Sequence, residues 1–156
     1  MVTIKLVKTR KELKEFIRFP YELYKNNPYW VPPLEMDEMN TLRKDKNPAF
    51  EHCESEYWLA YKDGKIAGRI AGIINHLANQ KWGEKVRFGW IDFIDDYEVV
   101  QLLITTVIEW GKSKGMKAIH GPLGLMIWIK RDCWFMDLIN YQRLLISIIM
   151  NIILLI

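Results

Sequence analysis

The 156-residue chain has only two cysteines, Cys53 and Cys133, and neither stands in a C-x-x-C pair. That excludes a disulfide framework and supplies no zinc site, so no metal is expected. Its first residues, MVTIKLVKTRKELKEF, lack the apolar core of a secretory signal. The expected location is the reducing cytoplasm. Nor does one charge dominate: 22 Lys and Arg face 19 Asp and Glu, for a net charge of +3. These charges are interleaved through residues 1–124 without a basic stripe, so nucleic acid is not an expected partner. Long apolar runs are missing too. The longest, LLISIIMNIILLI (144–156), has 13 residues and is broken by Ser147 and Asn151. A membrane-spanning helix needs roughly 20. A membrane is therefore not expected as a partner.

One absence is local. From Leu125 to Ile156 there is no Gly, Pro, Ala, Val, Thr or Glu in 32 residues, and fifteen of them are Ile or Leu. Residues 1–124 read differently, as one folded α/β unit of ordinary globular composition.

TIKLV (3–7) alternates as a strand does. Thr9 and Glu12 have capping-box spacing, in which hydroxyl and carboxylate each satisfy an exposed backbone N–H. The helix that follows carries Leu13, Phe16 and Ile17 on one face, and Tyr21 and Tyr24 continue that stripe. Pro20 removes a backbone donor, which predicts a kink or restart there. NNPYWVPPL (26–34), with three prolines, reads as an extended loop pinned to the core by its aromatics. A polar linker leads to the turn at Asn47-Pro48.

EYWLAYKDGKIAGRIAGIINH (56–76) is a hairpin, because Asp63-Gly64 suits a turn with positive φ at both central residues. Gly68 and Gly72 in its second strand indicate a bulge, or close approach of another backbone or a ligand. VRFGWIDFI (86–94) is a further strand, long and apolar enough to be central. Asp95 and Asp96 offer an N-cap to a helix over 97–114, with Val99 or Val100, Leu103, Val107 and Trp110 as its buried stripe. Gly115 stands where a left-handed C-cap belongs, and MKAIHGPL (116–123) begins a fifth strand.

The order is strand, broken helix, hairpin, strand, helix, strand. Together with FPYELYKNNPYWVPPL, NPAFEHCE, GRIAGIINH, FGWIDFIDD and EWGKSKGMKAIHGPLG, it resembles the front half of a bacterial GNAT-like acyltransferase family. The resemblance implies an incomplete, mixed GNAT-like sheet over residues 1–124. It also implies transfer of an acyl group from acetyl-CoA or another acyl-CoA to a small-molecule or peptide amine. In that fold the fourth strand's backbone pairs with the pantetheine arm, here at Trp90, Ile91, Phe93 and Ile94. The chemistry needs a base for the amine and an acid for the leaving thiolate. Asp92 on the fourth strand is the first candidate base and His76 the second; the plainer readings are that Asp92 faces water and His76 caps a turn. The acid, a tyrosine after strand five, would lie beyond residue 124.

The sequence departs from the family at one point. Its loop for the pyrophosphate is glycine-rich, whereas IDFIDDYEVV (91–100) has no glycine and two adjacent carboxylates. Asp95 and Asp96 repel a pyrophosphate and compete for the same helix N–H groups. That departure favours the alternative of a non-catalytic GNAT-like binding module.

The tail departs altogether. In the family Gly-Pro-x-Gly is followed by a pattern such as Phe-Asn-Asp-Met-Asp-Lys-Glu-Gly-Leu-Leu-Val-Tyr-Gly-Phe-Asp-Gln-Leu-Ser. Codons chosen for that peptide, read after loss of one base, yield LMIWIKRDCWFMDLINYQ, which is residues 125–142 without a mismatch. Residues 125–156 are therefore expected to translate a shifted frame, and the chain as it stands to be inactive. The unpaired edge of the fifth strand and the hydrophobic tail would then favour self-association. The competing expectation is a natural amphipathic tail that contacts a membrane.

Overall fold

A computed structural model describes residues 1–125; the expectations for the tail lie outside the described residues. Five strands form one sheet in the order β1-β2-β3-β4-β5. They are β1 (Val2–Leu6), β2 (Cys53–Lys62), β3 (Lys65–Asn75), β4 (Lys85–Phe93) and β5 (Ala118–His120). The first three pairings are antiparallel, and β4 with β5 is parallel. A parallel pair needs a crossover, and helix α4 (Tyr97–Ser113) supplies it. This is the mixed α/β sheet expected from the sequence. The hairpin is as read: Asp63 and Gly64 take φ of 51° and 76° between β2 and β3.

Helix α4 covers one face. Asp96 caps it by accepting the Glu98 N–H, and Val99, Val100, Leu103, Ile104 and Val107 are buried beneath it. They pack on Ile70, Ile74, Val86, Phe88 and Phe93. Gly68 and Gly72 permit that packing. A Cβ at Gly68 would lie 2.9 Å from both Leu103 and Val99, and one at Gly72 would lie 2.9 Å from the Trp110 ring. The close approach is by helix side chains, and the expected bulge is present at Ala67, beside Gly68, where β3 carries one extra residue opposite β2. Gly115, at φ 79°, follows the helix end as predicted.

Helices α1 (Arg10–Leu23) and α2 (Glu35–Leu42) cover the other face. The Thr9–Glu12 capping box forms, and Leu13, Phe16 and Ile17 are buried against Tyr57, Leu59, Ala71 and Leu42. Four expectations need correction. Pro20 does not restart α1, which runs through it to Leu23; the proline falls in the last turn, where one missing donor is tolerated. Residues 35–42 are helix α2 rather than linker. His76 does not end the third strand: it opens helix α3 (His76–Trp82), capped by the Asn75 side chain. The fifth strand is also shorter than read, at three residues.

Candidate active site

β4 carries one extra residue relative to β3. Arg69 lies opposite Asp92, but two positions on, Ala71 lies opposite Gly89. The bulge places Trp90 at φ 45°, a left-handed conformation that a bulky residue adopts at a cost. The paired register of β4 with β5 spans only Lys85–Arg87, followed by a bond from the Leu123 N–H to the Phe88 carbonyl at 2.8 Å.

Asp92 sits just beyond that bulge, and it does not face water. It is 3% exposed, and its partner Arg69 is 6% exposed. Arg69 Nε donates to Asp92 Oδ2 at 2.8 Å, and the Tyr24 hydroxyl donates to Oδ1 at 2.9 Å. Arg69 Nη1 donates to the Phe16 carbonyl at 2.9 Å. That carbonyl is the one Pro20, four residues on and lacking an N–H, leaves without its helical donor. The guanidinium also stands 5.0 Å from the Phe16 ring centroid, a cation–π contact. The break expected at Pro20 thus becomes an attachment point: α1 is held to the sheet through Arg69, and Arg69 holds Asp92.

The loop after α1 closes over this network. Trp30 packs on Tyr21 and Tyr24 with centroid separations of 5.4 and 5.5 Å, and the Tyr21 hydroxyl donates to the Pro33 carbonyl. Burial pushes the Tyr21 phenol above its ordinary value. Trp90 Nε1 donates to Glu38 Oε2 at 2.8 Å, which ties the bulge to α2.

His76 is elsewhere. Its Nε2 lies 3.0 Å from Glu54 Oε1, with about half of the side chain exposed. Asp92 pairs with Arg69, seven residues back along β3, which at about 3.3 Å per residue is about 20 Å away. The two candidate bases are not brought together. Of the proposed backbone contacts, Phe93 and the half-buried Ile91 pack in the α4-side core, and the Ile94 N–H donates to the Ala67 carbonyl on the β3 side at 2.9 Å. Arg69 and Tyr24 were not singled out from the sequence. A charge inside the apolar run IAGRIAGI was the available signal for Arg69, because a buried cation requires partners.

At the α4 N-terminus the residues do not fit a pyrophosphate. Asp96 Oδ1 accepts the Glu98 N–H at 3.0 Å, and Asp96 Oδ2 pairs with Lys62. The Lys62 ammonium, followed by the backbone N–H bonds, holds the Asp96 carboxyl below its ordinary value. The anion that this helix end favours is already the protein's own.

The α4 crossover between a bulged β4 and a short parallel β5 belongs to the fold of GNAT acetyltransferases. An AAC(6')-Iy structure in complex with a bisubstrate analogue, CoA-S-monomethyl-acetylneamine, matches with a TM-score of 0.57 at 16% identity, over 95% of this chain and 89% of that one. No family model matches. In sequence the chain is 40% identical over 119 residues to Protein YghO of Escherichia coli (strain K12), covering 76% of this chain and 30% of that protein. It is 35% identical over 123 residues to a bacterial ceramide synthase of Caulobacter vibrioides, covering 78% and 32%. Fold and sequence together support the GNAT-like bacterial family that the motifs resemble. The chain spans about a third of the length of these curated relatives. Among the described residues no helix is long and apolar enough to cross a membrane.

Proposed function

We propose that this chain is the amino-terminal part of an N-acyltransferase that moves an acyl group from a thioester, acetyl-CoA or a longer acyl-CoA, to an amine. The observation that carries the reading is the β4 bulge at Trp90 beside the short parallel β4–β5 pair, with the Asp92 carboxylate just beyond it. The reaction joins the amine nitrogen to the acyl carbon as the C–S bond breaks. The nitrogen gives up one proton and the thiolate takes one up, so a base near β4 is needed. Asp92, buried and held by Arg69 and Tyr24, is the first candidate and would act through the Tyr24 hydroxyl that donates to it; His76, beside Glu54, is the second. The relative named a ceramide synthase points to the acceptor: a ceramide is the amide of a fatty acid with a long-chain amino alcohol, so a long-chain amine is the proposed substrate class.

Asp96 at the α4 N-terminus favours a second reading, a GNAT-like module that binds without catalysis. Calorimetry separates the two. Acetyl-CoA and palmitoyl-CoA are titrated into the frame-restored protein, and amide formation with octylamine or a long-chain amino alcohol is then followed. Binding with amide formation supports the transferase; binding of an amine alone, with neither thioester bound nor product formed, supports the module.

We infer further that residues 125–156 translate a shifted frame, and that turnover belongs to the frame-restored protein. The support is the mismatch-free reading of residues 125–142 described above and their Ile/Leu excess. Sequencing the gene from independent isolates tests this. An uninterrupted frame ending at Ile156, or equal turnover from the two forms, would sink it.

A further inference from the structure

A second buried cation stands without a counter-charge. Arg87 interrupts the apolar strand VRFGW as Arg69 interrupts IAGRIAGI, and it is 6% exposed. Arg69 has Asp92 and the Phe16 carbonyl. Among the described residues Arg87 Nη1 has no hydrogen-bond partner. Nor does a described carboxylate pair with it: Asp92 is held by Arg69, and Glu54 by His76 and Lys114. A buried charge is costly unless a counter-charge and hydrogen bonds offset it. A guanidinium is suited to a carboxylate, which its planar fork can hold through two bonds at once.

The last described residues run beside that cation. The register sets Arg87 across from Ile73, with Gly89 two positions on along the same face. After β5 the chain crosses β4 over Gly89, where a Cβ would lie 2.3 Å from the Leu123 carbonyl oxygen. Leu125 is buried in one cluster with Ile73, Cys53 and Ala49, and its carbonyl lies 4.0 Å from Cys53 Sγ. Burial raises the Cys53 thiol above its ordinary value, and the Arg87 charge pulls it the other way. The guanidinium is thus felt in the corner where Leu125 sits.

The genetic code fixes what a restored frame puts next. Methionine has the single codon ATG, tryptophan the single codon TGG, and every isoleucine codon begins AT. Met126-Ile127 and Trp128-Ile129 therefore each read G-AT, aspartate, in the frame one base away, whichever isoleucine codons are used. The codon between them ends in TG and encodes Leu or Met. The restored segment carries Asp-(Leu or Met)-Asp shortly after Gly124. In its place the present chain has LMIWIKR (125–131), with two cations and no carboxylate.

We infer that Arg87 is the seat of one of those aspartates, and that the pair fastens the segment after β5 to the sheet. The seat is on the face that carries Asp92, four residues along β3 from Arg69, which is about 13 Å at about 3.3 Å per residue. The inference rests on the shifted-frame reading of the tail and needs no acyl transfer.

Melting temperature tests the pairing in two proteins, the 156-residue chain and its frame-restored form. Arg87→Met keeps a long unbranched side chain and removes the charge. In the 156-residue chain it should raise the melting temperature, because a buried charge without a counter-charge is gone. In the restored protein it should lower it by several degrees, because an aspartate is left buried alone. One of the two aspartates changed to Asn should reproduce that loss, and adding Arg87→Met to it should lower the value no further. Arg87→Lys, which keeps the charge without the fork, should fall between the restored parent and its Arg87→Met variant. An equal fall in both proteins, or fully additive losses, overturns the pairing. So does stabilisation of the 156-residue chain by acetate, abolished by Arg87→Met, with no coupling in the restored protein; the seat then belongs to a free carboxylate. Sequencing the gene separates this from the frame reading. A broken frame without coupling overturns the pairing alone. Coupling, with a gene that reads uninterrupted to Ile156 in every isolate, overturns the frame reading alone.

Discussion

The two faces of the sheet are built on opposite plans. Under α4 the contact is apolar throughout, with Val99, Leu103 and Val107 set onto Ile70, Ile74 and Phe88, and two glycines let the helix come close. The buried polar side chains, Ser55, Arg69, Arg87 and Asp92, all fall on the face toward α1 and α2. Cross-strand partners share a face. Arg69 and Asp92 are opposite each other and level with Leu59, while Ser55, Ile73 and Arg87 form a row on the same face beyond that of Tyr57 and Ala71. Ser55 donates to the Tyr57 hydroxyl, which donates to the Leu42 carbonyl; burial pushes the Tyr57 phenol up. Among the described residues Arg87 Nη1 finds no partner. One face secures the fold by burial alone. The other retains buried polar groups next to the bulge, and buried polarity is more readily explained by chemistry than by stability.

The largest effect should come from breaking the polar face. Arg69→Met leaves Asp92 buried without its counterion and strips the Phe16 carbonyl of its donor. Removing one partner of a buried ion pair typically costs about 3–5 kcal/mol. Urea unfolding should show a loss in that range. Pairing Arg69→Met with Asp92→Leu should recover much of it, because no lone charge is then left inside. Additive losses in the double variant would mean that the two residues are not an energetic unit.

The apolar face should respond to volume instead. A Cβ at Gly72 meets Trp110 at 2.9 Å and Trp58 at 3.0 Å, and the two indole rings already pack edge-on at 5.7 Å. Gly72→Ala must move a ring, and overpacking of this kind costs about 1–3 kcal/mol. Gly64→Ala is the control. Nothing lies within 4 Å of a Cβ there, so only its φ of 76° opposes the change, at about 1 kcal/mol. Equal destabilisation of the two variants would show that crowding under α4 is not what Gly72 relieves.

The same division explains what could be read in the sequence. The α4 face was legible because helix period and strand run are local patterns: Val99, Leu103 and Val107 are buried as read, whereas Ile104 and Gly111 are buried outside the stripe and Trp110 is half-buried. The polar face was not, because its bonds join residues far apart in the chain: 23 positions separate Arg69 from Asp92, and 68 separate Tyr24 from Asp92. Asp92 was legible as a candidate, but its burial was not. Helix α2 escaped notice because EMDEMNTL buries only Leu42, too little for a stripe. Helix α3 escaped because His76–Trp82 is a short continuation of an apolar strand. Pro20 misled because a missing donor reads as a break until a side chain from another strand supplies the substitute.

The smallest effect tests the helix ends, where one depressed carboxyl serves each face. Asp96 caps α4 and pairs with Lys62. Glu12 at the start of α1 pairs with Lys5 at 2.8 Å and accepts the backbone N–H groups of Lys8 and Thr9 at 2.8 and 2.9 Å. The Lys5 ammonium first, then those two N–H groups, bring Glu12 down to about 2 from an ordinary value of 4.5. A carboxyl held down in the folded state binds fewer protons there than in the unfolded chain. Its contribution to stability is complete above about pH 4.5 and is lost as the pH falls toward 2. The melting temperature, followed from pH 5 to pH 2, should therefore fall. Glu12→Gln should lower it at pH 5 and flatten the fall, because an amide has no proton to gain. The effect should also shrink in 1 M salt for the Lys5 contribution, which is exposed, and persist for the backbone bonds. A Glu12→Gln protein whose melting temperature falls as steeply as the parent's over that window would show that the acid sensitivity lies elsewhere, with Asp96 the next carboxyl to replace.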